Sequence, residues 1–322
     1  MIKTMSIQLD HVINTKINEI LMGAQLSNEM VEMIQFSLNA ESNNTERFKW
    51  VHLTIMSCEC AGGDSEAALP GGIAMELAGL AADIFDDIQD QDNDDLPWRQ
   101  ISPASALNLA ICLSMLSHKA VTMILDKKLF REVSQILNDM WITASDGQLQ
   151  EVLLDTCGQV ALEQYFELVK RKSGSLTAAA CKIGAMLGGA SESVVLQFGQ
   201  FGTNLGIMSQ IRNDLIDFLN FEDKSDFVNN RKTLPYVYLL NILQGEKAVR
   251  FKELTQIKSE GIQRFGKEEE DKLKQLTIDE GAAHYGRVMY EIFRQASLEI
   301  MQAIPLPEKR KEKMIQLVDE RH

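Results

Sequence analysis

The stretch ADIFDDIQDQDNDD, residues 82–95, holds seven aspartates within the thirteen positions from Asp83. Asp83, Asp86, Asp87 and Asp90 fall at i, i+3, i+4 and i+7, so on a helix they share one face. Like charges that close repel by a few tenths of a kcal/mol per pair, and the stretch places no lysine or arginine at those offsets. Upstream, Ile73 to Leu80 is strongly apolar, so the face emerges from a core helix rather than from a solvated loop. Mg²⁺ relieves such repulsion, because it takes oxygen ligands, keeps several waters and bridges carboxylates to phosphates.

A second face of this kind lies in SQIRNDLIDFLN, residues 209–220, where Gln210, Asn213, Asp214 and Asp217 sit a turn apart among apolar neighbours. Two acidic faces on core-like helices point to a paired metal–phosphate site; the alternative is two solvated helix ends. A diphosphate also needs fixed cations. Candidates are Arg47 and Lys49, then Lys170-Arg171-Lys172 before Ser173-Gly174, and then Lys224, Arg231 and Lys232.

Between these faces the chain reads as helices. Apolar residues recur at helical spacing from residue 10 to 40, and the polar run Asn39 to Arg47 breaks the pattern. Helices are expected from Phe48 to Ala61, from Ile73 into the aspartates, from Ser102 to Leu129, from Phe130 to about Ser145, within Glu151–Gly189, over Ser191–Leu219, and over Thr233–Leu243. Pro70-Gly71-Gly72 reads as a turn and Asn220–Arg231 as a loop. Two charged amphipathic segments, split by Pro305 and Pro307, close the chain. No series of alternating strands, no repeat and no Gly/Ser linker is present. The fold class is therefore all-α: one helical domain over residues 1–322, with long core helices.

The 322 residues carry a formal charge of −14, which argues against a broad nucleic-acid surface. No run of about twenty apolar residues predicts a membrane span, and the N-terminal stretch lacks an apolar signal core. Five cysteines are expected to be reduced core thiols in a cytoplasmic protein. His52, His118, His284, Trp98 and Trp141 read as packing residues. The DNDD run lacks the central glycine of a calcium loop.

The motifs together resemble the all-α isoprenyl diphosphate synthases, which carry two D-D-x-x-D motifs. Asp86-Asp87-Ile88-Gln89-Asp90 matches the first. Asn213-Asp214-Leu215-Ile216-Asp217 matches the second except for its leading asparagine. Lys172-Ser173-Gly174-Ser175-Leu176 resembles the family's K-T-G-x-L and Gly147-Gln148 its G-Q. Cys58–Gly63 is similar to its A-E-A-L-G-G turn. Lys224, Asp226-Phe227 and Arg231-Lys232-Thr233-Leu234-Pro235 resemble its charged loop. The likeness runs over about residues 45 to 320.

The family's G-K-R-x-R-P, which helps hold isopentenyl diphosphate, is thinned here to Glu46-Arg47-Phe48-Lys49-Trp50-Val51, and its R-R-G becomes Trp98-Arg99-Gln100. That pattern, with RKTLPYVYLL after the second motif, is similar to the bacterial isoprenyl transferases that mature a competence pheromone. The resemblance implies an isoprenoid synthase-type bundle with a central apolar prenyl pocket, working as a cytoplasmic homodimer.

It implies catalytic roles for Asp86, Asp87, Asp90, Lys172, Asp214 and Asp217. Mg²⁺ ligands would come from those aspartates with Asp83 and Asn213. Substrate contacts would come from Arg47, Lys49, Ala81, Ala82, Arg99, Gln210, Lys224, Arg231 and Lys232. The implied substrates are an allylic isoprenyl diphosphate and either a tryptophan-containing precursor peptide or isopentenyl diphosphate. Chain elongation and a noncatalytic partner subunit remain the alternatives. A terpene cyclase fits less well, because it normally lacks the charged loop.

Overall fold

The computed structural model describes residues 2–40, 47–91, 93–155, 158–220, 231–256 and 267–319. Among them the chain is helical, with no strand, as the sequence leads one to expect. The helices in order are α1 Ile2–Met22, α2 Asn28–Ala40, α3 Lys49–Ala61, α4 Ser65–Asp90, α5 Pro103–Val121, α6 Lys127–Asp155 and α7 Leu162–Leu187, followed by α8 Glu192–Asn220, α9 Leu234–Ile242, α10 Gly245–Gln256, α11 Lys267–Asp279, α12 Ala282–Ala303 and α13 Glu308–Asp319. They group into two compact units. The first comprises residues 1–141, 176–202 and 300–322, and the second residues 142–175 and 203–299.

The axis of the first unit is α4, packed between α3 and α5. Asp64 caps its start, its side chain accepting from the Ala67 N–H at 2.8 Å. The expected turn at Pro70-Gly71-Gly72 is absent, because all three residues lie inside α4. Their glycines serve close packing instead. A Cβ on Gly71 would strike Ile183, and one on Gly72 would come within 3.0 Å of Val51. Turn residues and crossing-point residues share this composition, so sequence alone misreads them.

The helix expected from Ser102 to Leu129 also divides. α5 stops at Val121, and Asp126 starts α6 by accepting from the N–H groups of Lys128 and Leu129 at 2.8 and 2.9 Å. Among the described residues two helices, α4 and α5, do have the length and hydropathy of a membrane span, against the expectation of none. The relevant windows are 78% and 50% buried within the fold, so much of that apolar surface goes to the core. Cys58, Cys60 and Cys181 are buried and Cys112 is half-buried; burial raises both Cys58 and Cys60 to about 11, which keeps them protonated and unreactive. Cys157 lies outside the described residues.

Two apolar clusters build the second unit. Val160, Tyr165, Leu168 and Val169 of the α7 region meet Ile207 and Ile211 of α8 and Leu234 and Val237 of α9. Phe218, Tyr236, Leu239 and Phe251 form the other. These contacts fix the C-terminal part of α8, where the second acidic face lies, against α7 and α9. The expected loop Asn220–Arg231 falls mostly outside the described residues.

Candidate active site

The first acidic face occupies the last two turns of α4. Asp83, Asp86 and Asp90 are half-buried, and an oxygen of Asp86 lies within 4.8 Å of an oxygen of Asp90. Asp87 is more deeply buried, at 6% exposed. Its Oδ2 accepts from the Trp98 indole N–H and its Oδ1 from the Asn93 amide, both at 2.6 Å. Burial pushes the Asp87 carboxyl up to about 6; the two hydrogen bonds pull it down and Asp83 and Asp86 push it further up.

Local chemistry sets up that arrangement. Gln91 ends α4 in the left-handed conformation, and Asn93 adopts the same region, which asparagine tolerates better than most residues. Pro97 then opens a 3₁₀ turn over Pro97–Arg99 that leaves Trp98 buried against Asp87. Trp98 is expected from the sequence only to pack, and Asn93 carries no expected role. Both also hold the buried aspartate.

The basic residues assigned to this region have protein partners. Lys49 Nζ lies 3.3 Å from Asp83 Oδ2 and 5.6 Å from the Trp50 ring centroid. Arg47 donates to Asn39 at 2.8 Å and to Asn14 at 3.3 Å, and stacks on Phe48. Arg99 pairs with Asp94 at 3.2 Å. The start of α3 has no cap from its own N-cap residue, Phe48. Glu76 of α4 caps it instead, accepting from the N–H groups of Trp50 and Val51 at 2.9 and 3.1 Å. Ala81 is fully buried and Ala82 half-buried. One turn on, Phe85 meets Trp141 edge to face.

The second face is organised around Asp214, which is 3% exposed. Its Oδ2 accepts from the Tyr165 hydroxyl at 2.6 Å and from the Leu234 N–H at 2.7 Å; its Oδ1 accepts from Gln210 at 2.9 Å. Gln210 in turn accepts from Ser173 at 3.0 Å. Burial raises the Asp214 carboxyl to about 6 against the pull of those bonds. Asp214 thus caps α9 much as Glu76 caps α3. Asp217 is half-buried and Asn213 exposed.

The cations of the second unit are paired with acids on α6 that sequence reasoning missed. Lys172 pairs with Glu151, Arg171 with Asp146 at 2.5 Å, and Arg231 with Asp155 at 2.7 Å. Lys232 donates its backbone N–H to Asp155 at 3.2 Å, and its ammonium lies 4.7 Å from the Tyr236 ring centroid. The one available signal was Gly147. A Cβ there would lie 2.8 Å from the Lys172 nitrogen, so this glycine lets α6 approach α7. Lys224 and Asp226-Phe227 lie outside the described residues.

A model of the polyprenyl synthetase family matches residues 43–270. The chain belongs to the polyprenyl synthetase family. Prenyl transfer is the business of that family, and the chain is a prenyltransferase. It is 32% identical over 171 residues to a tryptophan prenyltransferase, ComQ, of Bacillus spizizenii; the match covers 53% of this chain and 57% of that protein. It is 26% identical over 261 residues to a geranylgeranyl diphosphate synthase of Sulfolobus acidocaldarius, covering 76% of this chain and 79% of the relative. Its fold matches a polyprenyl synthetase from Streptomyces coelicolor with a TM-score of 0.84 at 22% identity, over 97% of this chain and 96% of the other.

Proposed function

We propose that this polyprenyl synthetase transfers a farnesyl or geranyl group from an allylic diphosphate to a tryptophan side chain of a precursor peptide, in the cytoplasm and as a homodimer. The observation that carries the acceptor is the 32% identity to a tryptophan prenyltransferase. The two compact units are read as parts of one synthase-like domain, since the family match runs through both.

The α4 face suits Mg²⁺: Asp86 and Asp90 offer hard oxygen donors within 4.8 Å of each other, with Asp83 a turn earlier. On the second face Asp217, with Asn213, would do the same. Mg²⁺ supplies Lewis-acid stabilisation of the departing diphosphate. Asp87 and Asp214 have their oxygens engaged by protein donors; their part is to fix the turns that carry their neighbours.

Lys172, Arg231 and Lys232, with Lys224, would bind the diphosphate oxygens and steady the charge that builds as the carbon–oxygen bond stretches. The carboxylates opposite Lys172 and Arg231 hold those side chains in place until an anion arrives. The prenyl chain would extend past Ala81 and Ala82 into an apolar pocket that keeps water from the allylic cation, with Phe85 limiting its depth. As the C1–O bond breaks and diphosphate leaves, an indole ring carbon would bond to C1, and the proton the acceptor loses would pass to the released diphosphate.

A second reading, chain elongation with isopentenyl diphosphate, draws on the geranylgeranyl diphosphate synthase relative. One experiment separates the two. Purified protein with Mg²⁺ and farnesyl diphosphate is given either a tryptophan-containing precursor peptide or isopentenyl diphosphate, and products are weighed by mass spectrometry. Gain of a farnesyl mass on the peptide, without elongation, is the expected result. Growth of the lipid by one five-carbon unit with the peptide untouched would establish the second reading.

A further inference from the structure

The corner between α3 and α4 contains a matched pair outside the two acidic faces. The indole of Trp50 rests with its pyrrole edge on Gly79, so closely that any Cβ at position 79 would collide with it. Gly79 sits one turn before Asp83 on α4. The Trp50 Nε1 is buried and makes no hydrogen bond, while the side chain as a whole remains half-exposed. A buried N–H without a partner costs about 1–3 kcal/mol. Core packing alone would favour phenylalanine there.

The polar groups around this ring already have protein partners. The first N–H groups of α3 go to Glu76. Lys49 is held by Asp83 and lies over the indole, and Arg47 is held by Asn14 and Asn39. What the corner offers is an aromatic surface, enriched by a cation over the ring, one turn from the aspartate face.

We propose that Trp50, seated on Gly79, is the residue that selects the acceptor: it receives an uncharged aromatic group, the indole of a peptide tryptophan, by ring contact. This rests on the tryptophan-prenylation reading above and names the recognition surface it requires. Trp50 binds; it does not move a proton or form a bond.

The test compares wild type, Trp50→Ala and Trp50→Phe, with Gly79→Ala as an independent way to dislodge the ring. Each is assayed with farnesyl diphosphate and a synthetic tryptophan-containing precursor peptide, and KM is measured separately for donor and acceptor. Trp50→Ala is expected to raise the acceptor KM about tenfold while the donor KM stays within about twofold. Gly79→Ala should act in the same direction. Trp50→Phe keeps an aromatic face but loses the pyrrole edge with its unpartnered N–H, so it should hold acceptor KM within about threefold of wild type. An unchanged acceptor KM in Trp50→Ala, or donor and acceptor KM rising together, overturns the role of Trp50 alone. If Trp50→Ala does not fold, Trp50→Phe decides against Gly79→Ala: equal losses in both overturn the proposal. A wild type that elongates isopentenyl diphosphate and leaves the peptide untouched overturns the tryptophan reading itself, before any variant is compared.

Discussion

The two acidic faces are built alike and charged differently. Each has an inner aspartate sealed by a donor on an aromatic ring, Trp98 for Asp87 and Tyr165 for Asp214, and each leaves outer carboxyls half-buried. On α4 the outer set is three aspartates, with Lys49 paired to Asp83. On α8 two of the four positions are neutral, Gln210 and Asn213, and Gln210 is woven into the Asp214 network. A cluster of like charges demands cations; a carboxyl–amide network is content with its own donors. The α4 face therefore offers the oxygen cluster that a metal ion would need, and the α8 face is partly organised to hold α7, α8 and α9 together.

That contrast breaks first at the outer aspartates of α4. Asp86→Asn or Asp90→Asn should lower kcat by about a thousandfold, with little change in thermal stability, because only developing charge on the leaving group loses support. A loss of less than about tenfold in both would return the α4 face to the status of a solvated helix end. Asp214→Ala should show the reverse emphasis. It strands the Tyr165 hydroxyl and the Leu234 N–H in the core, at about 3 kcal/mol of stability, read by urea unfolding. Asp87→Ala strands the Trp98 indole and should cost about 2 kcal/mol by the same measure. Equal stability losses from all four variants would erase the distinction between inner and outer positions.

Much of this division was legible in the residues. The i, i+3, i+4, i+7 spacing gave the α4 face, and apolar periodicity gave the helices that carry both faces. The inner and outer roles were not legible, because spacing cannot tell which aspartate on a helix end turns toward a neighbouring donor. Trp98 reaches Asp87 only because Gln91 and Asn93 reverse the chain with positive φ, and Tyr165 reaches Asp214 from 49 residues away. The α6 acids were missed for a similar reason: Asp146, Glu151 and Asp155 look like an ordinary solvated face until α7 and Arg231 are placed beside them. Pro70-Gly71-Gly72 failed in the opposite sense, since a strong local turn signal yielded to the close approach of Ile183 and Val51.

A third buried carboxyl sharpens the comparison through pH. Glu76 is fully buried and pushed from 4.5 up to about 7, by burial first, with the N–H groups of Val51 and Trp50 and the charge of Lys49 pulling down and Asp83 pushing up. Its folded value lies above its unfolded value. The folded state therefore holds the proton more tightly, and this group's contribution to stability is greatest below about pH 4.5 and declines as pH rises to about 7. The gap corresponds to roughly 3 kcal/mol. Glu76→Gln keeps an acceptor for the α3 N–H groups without a charge to bury, so stability measured across pH 4.5 to 7 should lose that part of its slope. An unchanged slope would mean that Glu76 stays solvated enough to ionise normally.

The smallest effect belongs to the exposed cations of the second unit, and it tests whether pairing there is structural or preparatory. Arg171 and Asp146 are 38% and 45% exposed, so water and salt screen their attraction. Arg171→Ala should cost less than about 0.5 kcal/mol, and the difference should vanish in high salt. Lys172 and Glu151 are only 19% and 24% exposed, and Lys172 follows Arg171 directly on α7. If Lys172 is held ready for a diphosphate, Lys172→Ala should raise the donor KM about tenfold where Arg171→Ala does not. Equal and small effects from both would make the α6 acids mere surface partners. A donor KM that moves with Lys172 alone would identify Lys172, the lysine paired with Glu151, as a ligand of the donor diphosphate.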